Sequence, residues 1–261
     1  MRDPVNFESR RMNYQAPAQH LKDRVILVTG AGQGIGREAA KAFAAQDATV
    51  ILLGRKQSKL EEVYDEIEAA GHPQPAIFPI DLAKAGEAEF KALAEAIYAQ
   101  LGRLDGILHN AARFDNLSPL EIQNAEQFNG MLRVNLIAPF LLTKACFPLL
   151  KRSPDASVVF TSTTAAHYPA AFWGAHAISK SATETMAKIW SEEIGLLPNL
   201  RMNTVIPGAI QTPQRKKSHP GEIAENRPEI STILPLYLYL MGQDSAGVNG
   251  QLFEALKTSA Q

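Results

Sequence analysis

Four glycines lie close together near the start of the chain, in the segment TGAGQGIG. Three of them, Gly30, Gly34 and Gly36, fit the spacing T-G-x-x-x-G-x-G. The first of the three ends an apolar run, VILVTG, that predicts a β-strand. Glycine permits a tight turn with positive φ and lets the backbone approach a bound group closely. A helix opening directly after the turn would point its free N–H groups at phosphate. The candidate residues for the pyrophosphate of a dinucleotide are Gly30, Gln33, Gly34, Ile35 and Gly36.

The end of the second predicted strand, ILLGRK, bears on which dinucleotide would bind. Folds that bind NAD place an acidic residue there for the ribose 2′-hydroxyl, whereas folds that bind NADP place a cation nearby. Here Gly54 takes the position expected for the acid, and Arg55 follows it. An arginine fork binds a 2′-phosphate well, and no acid stands beside it to repel that phosphate. The pair predicts NADP(H) as the cofactor; the alternative for Arg55 is a solvated loop cation.

Further motifs complete a pattern that resembles the short-chain dehydrogenase/reductase family. They are Asp81-Leu82, HNAA at 109–112, RVNL, SK at 179–180 and PGAIQT at 207–212. The resemblance extends from about residue 22 to 256, and the last third also resembles the YciK-like bacterial oxidoreductases through FTSTT, WGAHAISK and PLYLYLMGQDS. The resemblance implies that Asp81 and Leu82 contact the adenine and that Asn110 and Ala111 line the adenosine side. It also implies that the nicotinamide end is held by Pro207, Gly208 and Thr212.

The family's chemistry is hydride transfer between nicotinamide and a carbonyl carbon, with a Tyr in Y-x-x-x-K exchanging the proton. The resemblance implies that Lys180 holds the ribose and tunes its neighbour, and that Asn135 anchors a water that relays protons. Four residues before Lys180 stands His176 rather than Tyr, and thirteen residues before His176 stands Thr163 rather than Ser. Thr163 retains a hydroxyl that can polarise a carbonyl; Ser162 is the alternative if the register differs by one.

His176 is the main departure from the family pattern. Imidazole is a good acid–base group near neutrality, but it reaches less far than a tyrosine. The positive charge of Lys180 disfavours imidazolium, so His176 should be mostly neutral at pH 7. Three interpretations stay open: a general acid that works through water, a lineage or engineered variant with weak or lost activity, and an acid elsewhere, with Tyr168 or His167 as candidates. For Tyr168 taken alone, the favoured interpretation is a wall of the substrate cleft.

These residues support two functions of different classes. The first is an NADP(H)-dependent oxidoreductase acting on a carbonyl or alcohol, with an altered catalytic site formed by Asn135, Thr163, His176 and Lys180. The second is an NADP(H)-binding protein with little or no turnover, in a sensor or structural role. The glycine turn and Lys180 favour cofactor binding in both functions. His176 is the residue on which the two functions differ, because it decides whether a proton can be transferred.

The elements that must position these groups alternate regularly between strand and helix. Strands rich in Val, Ile and Leu, including 76–82, 106–112 and 157–163, alternate with helices of ten or more residues, one of them spanning 173–197. The pattern predicts an α/β fold: a single doubly wound Rossmann domain over 23–261 with a parallel sheet of about seven strands. Residues 1–22 are predicted to be a disordered or draped tail, or an arm that contacts a partner subunit.

Composition restricts partners and location. A net charge of −1 over 261 residues produces no long-range electrostatic field that would attract nucleic acid or an anionic membrane. The single cysteine, Cys146, excludes an internal disulfide and a cysteine-based zinc site. No metal site, signal peptide or membrane-spanning run is expected, so the prediction is a cytoplasmic protein. Cys146 and His109 are expected to be packed rather than reactive.

The remaining candidates concern the substrate side and assembly. The basic run QRKKSHPGE at 214–222 is expected to be a mobile lid rather than a nucleic-acid site. Arg113 and Phe114, and likewise Phe172 and Trp173, either line the substrate cleft or pack elsewhere. The partners expected are a small carbonyl or alcohol substrate and, by the resemblance, further copies in a homodimer or homotetramer built on the two long helices around 124–150 and 173–197.

Overall fold

A computed structural model describes residues 13–256. Seven strands form one parallel sheet in the order β3-β2-β1-β4-β5-β6-β7. The strands are β1 (Val25–Thr29), β2 (Thr49–Gly54), β3 (Ala76–Pro79), β4 (Gly106–His109), β5 (Ala156–Thr161), β6 (Leu200–Ile206) and β7 (Leu252–Glu254). The predicted Rossmann-type α/β domain with a parallel sheet of about seven strands is confirmed.

Helices connect the strands and cover both faces of the sheet. Over residues 13–256 they are α1 (Gly34–Ala44), α2 (Gln57–Ala69), α3 (Glu87–Leu101), α4 (Ala125–Leu132), α5 (Ala138–Arg152), α6 (Thr164–His167), α7 (Gly174–Glu193), α8 (Pro213–Ser218) and α9 (Leu234–Met241). The α7 helix ends earlier than its predicted boundary at residue 197, because Gly195 and Pro198 follow and both disfavour helix.

The sheet is buried on both sides, which is why its strands are almost entirely apolar. In β1, Ile26 and Val28 contribute to the cluster formed with α1, α2 and α9, whereas Val25 and Leu27 contribute to the cluster formed with α3, α5 and α7. This alternation follows from the two-residue period of a strand. At about 25 cal/mol per Å² of buried apolar surface, the two clusters supply the main driving force for folding.

The chain reverses its winding direction at β1. The strands β2 and β3 lie on one side of β1, and β4 to β7 lie on the other. The connections after β1 and β4 therefore diverge and leave a crevice beyond the carboxyl ends of these strands. Because β1 pairs with β4, the glycine turn after β1 lies beside the segment that follows β4.

The predicted strands were too long at this same edge. Strand β3 ends at Pro79 rather than at residue 82, β4 ends at His109 rather than 112, and β5 ends at Thr161 rather than 163. In each case the residues beyond the strand belong to the connections that line the crevice. A local pattern of apolar residues does not distinguish the last paired residue from the first one that leaves the sheet.

The α4 and α5 helices are joined by a π-helical turn, Arg133–Ile137. Together they form the one described stretch, Ala125–Arg152, that is long and apolar enough to cross a membrane. This is weak evidence for a span, because the α5 residues Leu142, Cys146 and Leu150 lie in the second core cluster against the sheet. Burial raises the pKa of the Cys146 thiol to about 12, consistent with the expected inert thiol.

The described part of the N-terminal segment packs against the domain. Leu21 is fully buried in the first core cluster, so the packed structure begins before residue 23. The Tyr14 hydroxyl donates to Asp244 Oδ2 at 2.7 Å and lies 3.0 Å from His20 Nε2. Residues 1–12 of the predicted tail, and 257–261 at the other end, lie outside the described residues.

A buried ionic cluster links the amino ends of the central strands. Asp155 accepts from Arg24 Nη1 at 2.5 Å and from Arg201, and both guanidinium groups are less than a tenth exposed. Burial opposes ionisation of Asp155, but its hydrogen bonds and the charges of Arg201 and Arg24 outweigh burial and lower its pKa. The cluster therefore depends on a charged Asp155.

We expect Asp155→Asn to lower the free energy of unfolding by about 3–5 kcal/mol at pH 7, because it removes the carboxylate that pairs with two buried guanidinium groups. The measurement is urea unfolding at several pH values. The stability difference between the wild type and the variant is largest above the ordinary pKa of Asp, and it shrinks as the pH falls through the lowered pKa of Asp155. Glu87→Gln, in an exposed pair with Lys144, is the control and should cost little. An equal loss in the two variants would contradict the assignment.

Candidate active site

The glycine turn forms a cradle that side chains would fill. Gly30 and Gly34 have φ of +70° and +57°, which favour glycine. Gly36 has no such φ, but a Cβ there would lie 2.4 Å from the Gly30 oxygen and 2.7 Å from Asn110 Nδ2. The backbone of the turn, the start of α1 and the segment after β4 thus meet with no room for a methyl group. This is the close helix–strand packing for which a dinucleotide-binding turn uses its last glycine.

The amino end of α1 is open to an anion. The helix begins at Gly34, and within the described chain the side chain of its N-cap residue, Gln33, makes no capping hydrogen bond. The first turn, which includes the half-buried Ile35, contains no acidic residue. Unsatisfied N–H groups and the positive end of the helix dipole therefore face the cradle. The predicted pyrophosphate residues are brought together, and a dinucleotide fits them.

We expect Gly36→Ala to weaken NADPH binding at least tenfold, because the added Cβ forces the Gly30 carbonyl out of the turn. In a helix without that contact, alanine would stabilise by about 0.5–1 kcal/mol. Isothermal titration measures the effect. Gly221→Ala is the matched control, since a Cβ at Gly221 meets nothing within 4 Å. Unchanged affinity in Gly36→Ala would contradict the cradle.

Thr29, which was not predicted as a site residue, fixes the segment after β4, where adenosine contacts are predicted. Its Oγ1 accepts the N–H groups of Asn110 at 3.0 Å and Ala111 at 3.1 Å, and it donates to the Leu108 oxygen at 3.2 Å. One hydroxyl thereby fixes the segment after β4 against the end of β1. Its signal in the sequence is its place as the first residue of the T-G-x-x-x-G-x-G motif.

The ends of β2 and β3 carry the other predicted adenosine contacts. Gly54 ends β2, and a Cβ there would lie 3.1 Å from Leu60 Cδ2, so the position is crowded. Arg55 follows on the surface. After β3, Asp81 Oδ1 accepts from the Ala83 N–H at 3.0 Å, and Leu82 is buried. The structure thus presents a cation at the mouth of the crevice and a fixed turn beside it.

The candidate catalytic residues meet on α7 and its neighbours. His176 and Lys180 lie one turn apart on α7 and are 2 % and 4 % exposed. Lys180 Nζ donates to the Thr161 oxygen, at the end of β5, at 2.6 Å. Burial lowers the pKa of Lys180 to about 8, against a raising effect of the Glu184 charge. This lysine is therefore buried and held against the end of β5.

Asn135 lies in the π-helical turn, and its side chain makes three hydrogen bonds within the protein. Its Oδ1 accepts from the Arg113 N–H at 2.7 Å, and its Nδ2 donates to the Arg113 oxygen at 3.0 Å and to Ser179 Oγ at 2.9 Å. Both amide hydrogens are thus used within the protein, and only Oδ1 has a lone pair left for a water. Asn135 clamps the Arg113 peptide, a role that the family resemblance did not suggest.

His176 is enclosed by aromatic rings and by Gln214 of α8. Its Nδ1 lies 3.3 Å from the Arg113 oxygen, and its Nε2 lies 3.5 Å from Gln214 Nε2. The rings of Phe114 and Trp173 lie 5.3 Å and 5.9 Å from the imidazole. Burial, and secondarily the charge of Lys180, lower the pKa of His176 to about 4. The expectation of a neutral imidazole agrees with this environment.

The hydroxyl groups after β5 point to different partners. Ser162 is buried and donates to Glu184 Oε1, and burial raises the pKa of that carboxyl. Thr163 is half-buried at the start of α6, where its backbone is extended. Since the Ser162 hydroxyl is occupied, Thr163 is the better candidate to contact a substrate. The alternative acids lie at the end of α6, where Tyr168 is 53 % exposed, in contrast to the buried pair on α7.

The segment after β6 carries the residues predicted for the nicotinamide side and for the lid. Pro207 is buried, and Gly208 has φ +81° and would bring a Cβ within 2.8 Å of Leu256 Cβ. Thr212 caps α8 by accepting the Arg215 N–H at 3.0 Å. The lid residue Gln214, which was not selected from sequence, then reaches His176. Its side-chain direction depends on the fold of the whole lid, so no local signal identified it.

The basic run predicted to be a lid contains α8 and is held by ion pairs. Glu222 accepts from Arg215 Nε at 2.7 Å and from Arg227, and the bond from Arg215 contributes most to lowering the pKa of Glu222 to about 2. The rings of His219 and His176 each lie 5.9 Å from the ring of Trp173. Part of the basic charge is therefore neutralised within the lid itself.

Comparison with known proteins agrees with this geometry. A family profile described as short chain dehydrogenase matches residues 24–223. YciK of Escherichia coli K12, described as an uncharacterized oxidoreductase, is 41% identical over 244 residues, covering 94% of this chain and 96% of that protein. The predicted resemblance to the YciK-like oxidoreductases is thereby confirmed.

Two solved structures share the whole fold. A short chain dehydrogenase from Pseudomonas syringae is 44% identical with a TM-score of 0.90, over 94% of this chain and 99% of the other. One from Shigella flexneri 2a, in complex with NADP, is 40% identical with a TM-score of 0.89, over 92% and 99%. The chain belongs to the short-chain dehydrogenase/reductase family of oxidoreductases.

Proposed function

We propose that this protein is an NADP(H)-dependent oxidoreductase that acts on a carbonyl or alcohol through an altered catalytic site. The observation that carries the proposal is the glycine cradle, which excludes even a methyl group at Gly36 and faces the open end of α1. Arg55 beside Gly54 supports the phosphorylated dinucleotide, and the Shigella flexneri relative was solved with NADP. The coarser conclusion, an oxidoreductase with a nicotinamide cofactor, follows from the family.

Each candidate residue has a distinct task in this proposal. The cradle binds the pyrophosphate, and Arg55 binds the 2′-phosphate on the adenosine ribose. Pro207, Gly208 and Thr212 enclose the nicotinamide end. NADP(H), when bound, supplies or accepts the hydride. Lys180 contributes a buried cation, which holds ribose hydroxyls and favours negative charge nearby.

The substrate side is assigned to three further groups. Thr163 orients the reacting oxygen by a hydrogen bond, and His176 exchanges the proton at that oxygen. Asn135 holds the Arg113 peptide against the imidazole and so acts through it. Phe114 and Trp173 exclude water from the ring, which strengthens the hydrogen bonds that the ring makes.

Location and assembly complete the proposal. We assign the protein to the cytoplasm, with no nucleic-acid or membrane partner and no metal, and to a homodimer or homotetramer. Exposed apolar side chains on the two long helices support the assembly: Phe140 on α5 and Ile178 and Ile189 on α7 are 39 %, 44 % and 53 % exposed.

The second candidate function is NADP(H) binding with little or no turnover, in a sensor or structural role. The observation that favours it is the low pKa of His176, about 4, which leaves few imidazolium ions at neutral pH. The two functions share the cradle and differ only in proton transfer.

One experiment separates the two functions. NADPH and NADH are titrated into the protein, and the NADPH complex, deuterated at C4, is then incubated with aldehydes, ketones and quinones. We expect NADPH to bind at least tenfold more tightly than NADH and deuterium to reach a product carbon. Tight binding without deuterium transfer would support the second function, and failure of both nucleotides to bind would exclude both.

A further inference from the structure

Two hydrogen bonds join α7 to the end of β5, and a charged side chain of α7 takes part in each. Lys180 Nζ donates to the backbone oxygen of Thr161 at 2.6 Å, and the hydroxyl of Ser162 donates to Glu184 Oε1. Thr161 and Ser162 are consecutive in the chain. Lys180 and Glu184 are four residues apart on α7 and therefore lie on one face of the helix. The cation and the carboxyl thus reach the same strand end side by side.

Glu184 is a half-buried carboxyl to which the proposed reaction gives no task. Burial raises its pKa, whereas the hydrogen bond from Ser162 and the charges of His167 and Lys180 favour the carboxylate. Removing an ion from water is costly unless a hydrogen bond or an opposite charge compensates for it. The hydroxyl of Ser162 supplies the hydrogen bond, and Lys180 supplies an opposite charge one helical turn away.

Lys180 is a buried cation whose charge depends on a negative neighbour. It is 4 % exposed, and burial lowers its pKa to about 8, while the charge of Glu184 opposes that lowering. At pH 7 a lysine with this pKa is about nine-tenths protonated, whereas a pKa one unit lower would leave it about half protonated. The Thr161 oxygen accepts a hydrogen bond but carries no full charge. The ammonium form at neutral pH therefore depends on Glu184.

Among the described residues, the other titratable groups near Lys180 do not supply this charge. Burial is the main cause that lowers the pKa of His109, at the end of β4, to about 3 and that of His176 to about 4, so both rings are neutral at pH 7. His167 of α6 faces Glu184. The charged side chains on the other elements packed against α7 have other partners or face solvent: Arg201 of β6 pairs with Asp155, Arg133 of the π-helical turn donates to the Ala85 oxygen, and Glu126 of α4 is exposed.

We propose that Glu184 is the counter-ion of Lys180, a positioning residue that keeps this lysine an ammonium ion and, through Ser162, holds α7 against the end of β5. Glu184 acts through Lys180 rather than on the cofactor or the substrate. Because Thr163 directly follows Ser162, the same hydrogen bond also restrains the residue assigned to the reacting oxygen. The proposal rests on the proposed function only where that function assigns Lys180 to the ribose of NADP(H).

The charge of Lys180 is measured without nucleotide, by carbon-13 NMR of protein labelled at lysine Cε, and Lys180→Met identifies the signal. We expect a titration midpoint near pH 8 in the wild type. Glu184→Gln keeps an oxygen for the Ser162 hydroxyl but removes the charge, so its midpoint should lie about one pH unit lower. Glu193→Gln, at an exposed position of α7, is the matched control and should leave the midpoint unchanged. An unchanged midpoint in Glu184→Gln would overturn the proposal.

Two further variants separate the charge of Glu184 from its structural contact. Glu184→Asp keeps the charge and should hold the midpoint within about half a pH unit of the wild type. Ser162→Ala keeps the carboxylate and removes its hydrogen bond, so the midpoint should fall less than in Glu184→Gln. A larger shift in Ser162→Ala, or the same shift in all three variants, would show that the local fold rather than the charge controls Lys180, and would contradict the proposal.

Titration with NADP⁺ at pH 6 and pH 8 connects the counter-ion to the cofactor site. At pH 6 the wild type and Glu184→Gln both bear the ammonium ion and should bind equally well. At pH 8 a midpoint one unit lower leaves about a fifth as much ammonium ion, so Glu184→Gln should bind NADP⁺ about fivefold more weakly. Equal affinities at pH 8 despite a shifted midpoint, or no binding to either protein, would count against the proposed function and leave the counter-ion established by NMR.

Discussion

Replacing His176 with tyrosine should raise carbonyl-reductase turnover by about 100-fold or more while leaving NADPH affinity within about twofold, since a well-placed general acid contributes about 10²–10⁴. At pH 7, three units above a pKa of about 4, about one His176 in a thousand is imidazolium. A tyrosine next to Lys180 keeps its hydrogen at pH 7, and the nearby cation lowers the pKa of its hydroxyl towards the useful range.

The longer side chain must displace Gln214, which lies 3.5 Å from Nε2, and the exposed lid can accommodate this. Steady-state rates with NADPH and a panel of aldehydes, ketones and quinones measure the effect. His176→Phe is the matched control, because it supplies a ring without a proton donor and should show no gain. Rates that stay flat in His176→Tyr across the whole panel would show that proton donation does not limit this protein.

Replacing Arg55 with alanine should weaken NADPH binding by about 10- to 100-fold and NADH binding by less than about twofold. A hydrogen bond between charged groups contributes about 1.5–3 kcal/mol, and each 1.4 kcal/mol corresponds to a factor of ten. Arg55 is exposed beside Gly54, so its loss leaves the 2′-phosphate in water without disturbing the core.

Fluorescence titration of both nucleotides measures this selectivity. Lys91→Ala on α3 is the control, since it removes the same charge from an exposed helix position. It should change neither affinity appreciably. Equal losses of NADPH and NADH in Arg55→Ala would contradict the assignment of NADP(H), while leaving the cradle intact.

Local spacing predicted much of the site because the relevant contacts are local. The glycines of the cradle lie within one turn, and His176 and Lys180 share one helix face at a spacing of four. The alternation of apolar runs was enough to predict the sheet, since strands buried on both faces have few alternatives.

The contacts missed from sequence are long-range and made by backbone groups or the lid. The Arg113 oxygen reaches His176 across 63 residues, and Gln214 reaches it across 38. Thr29 binds two N–H groups about 80 residues away. The π-helical turn that aims Asn135 has no distinctive composition. These interactions determine which groups lie against the two ring nitrogens of His176, and spacing alone could not show them.

The pH dependence of NADPH oxidation tests the central claim most directly, that proton transfer in this NADP(H) site passes through His176. Rates are measured from about pH 5 to 9 with the carbonyl panel, after subtraction of a blank without enzyme. Because reduction needs the protonated donor and the pKa of His176 is about 4, we predict a rate that rises about tenfold for each pH unit lowered, down to about pH 5. A rate that is level from about pH 5 to 8 and falls above that range would assign the proton to Lys180 or a tyrosine and contradict the account.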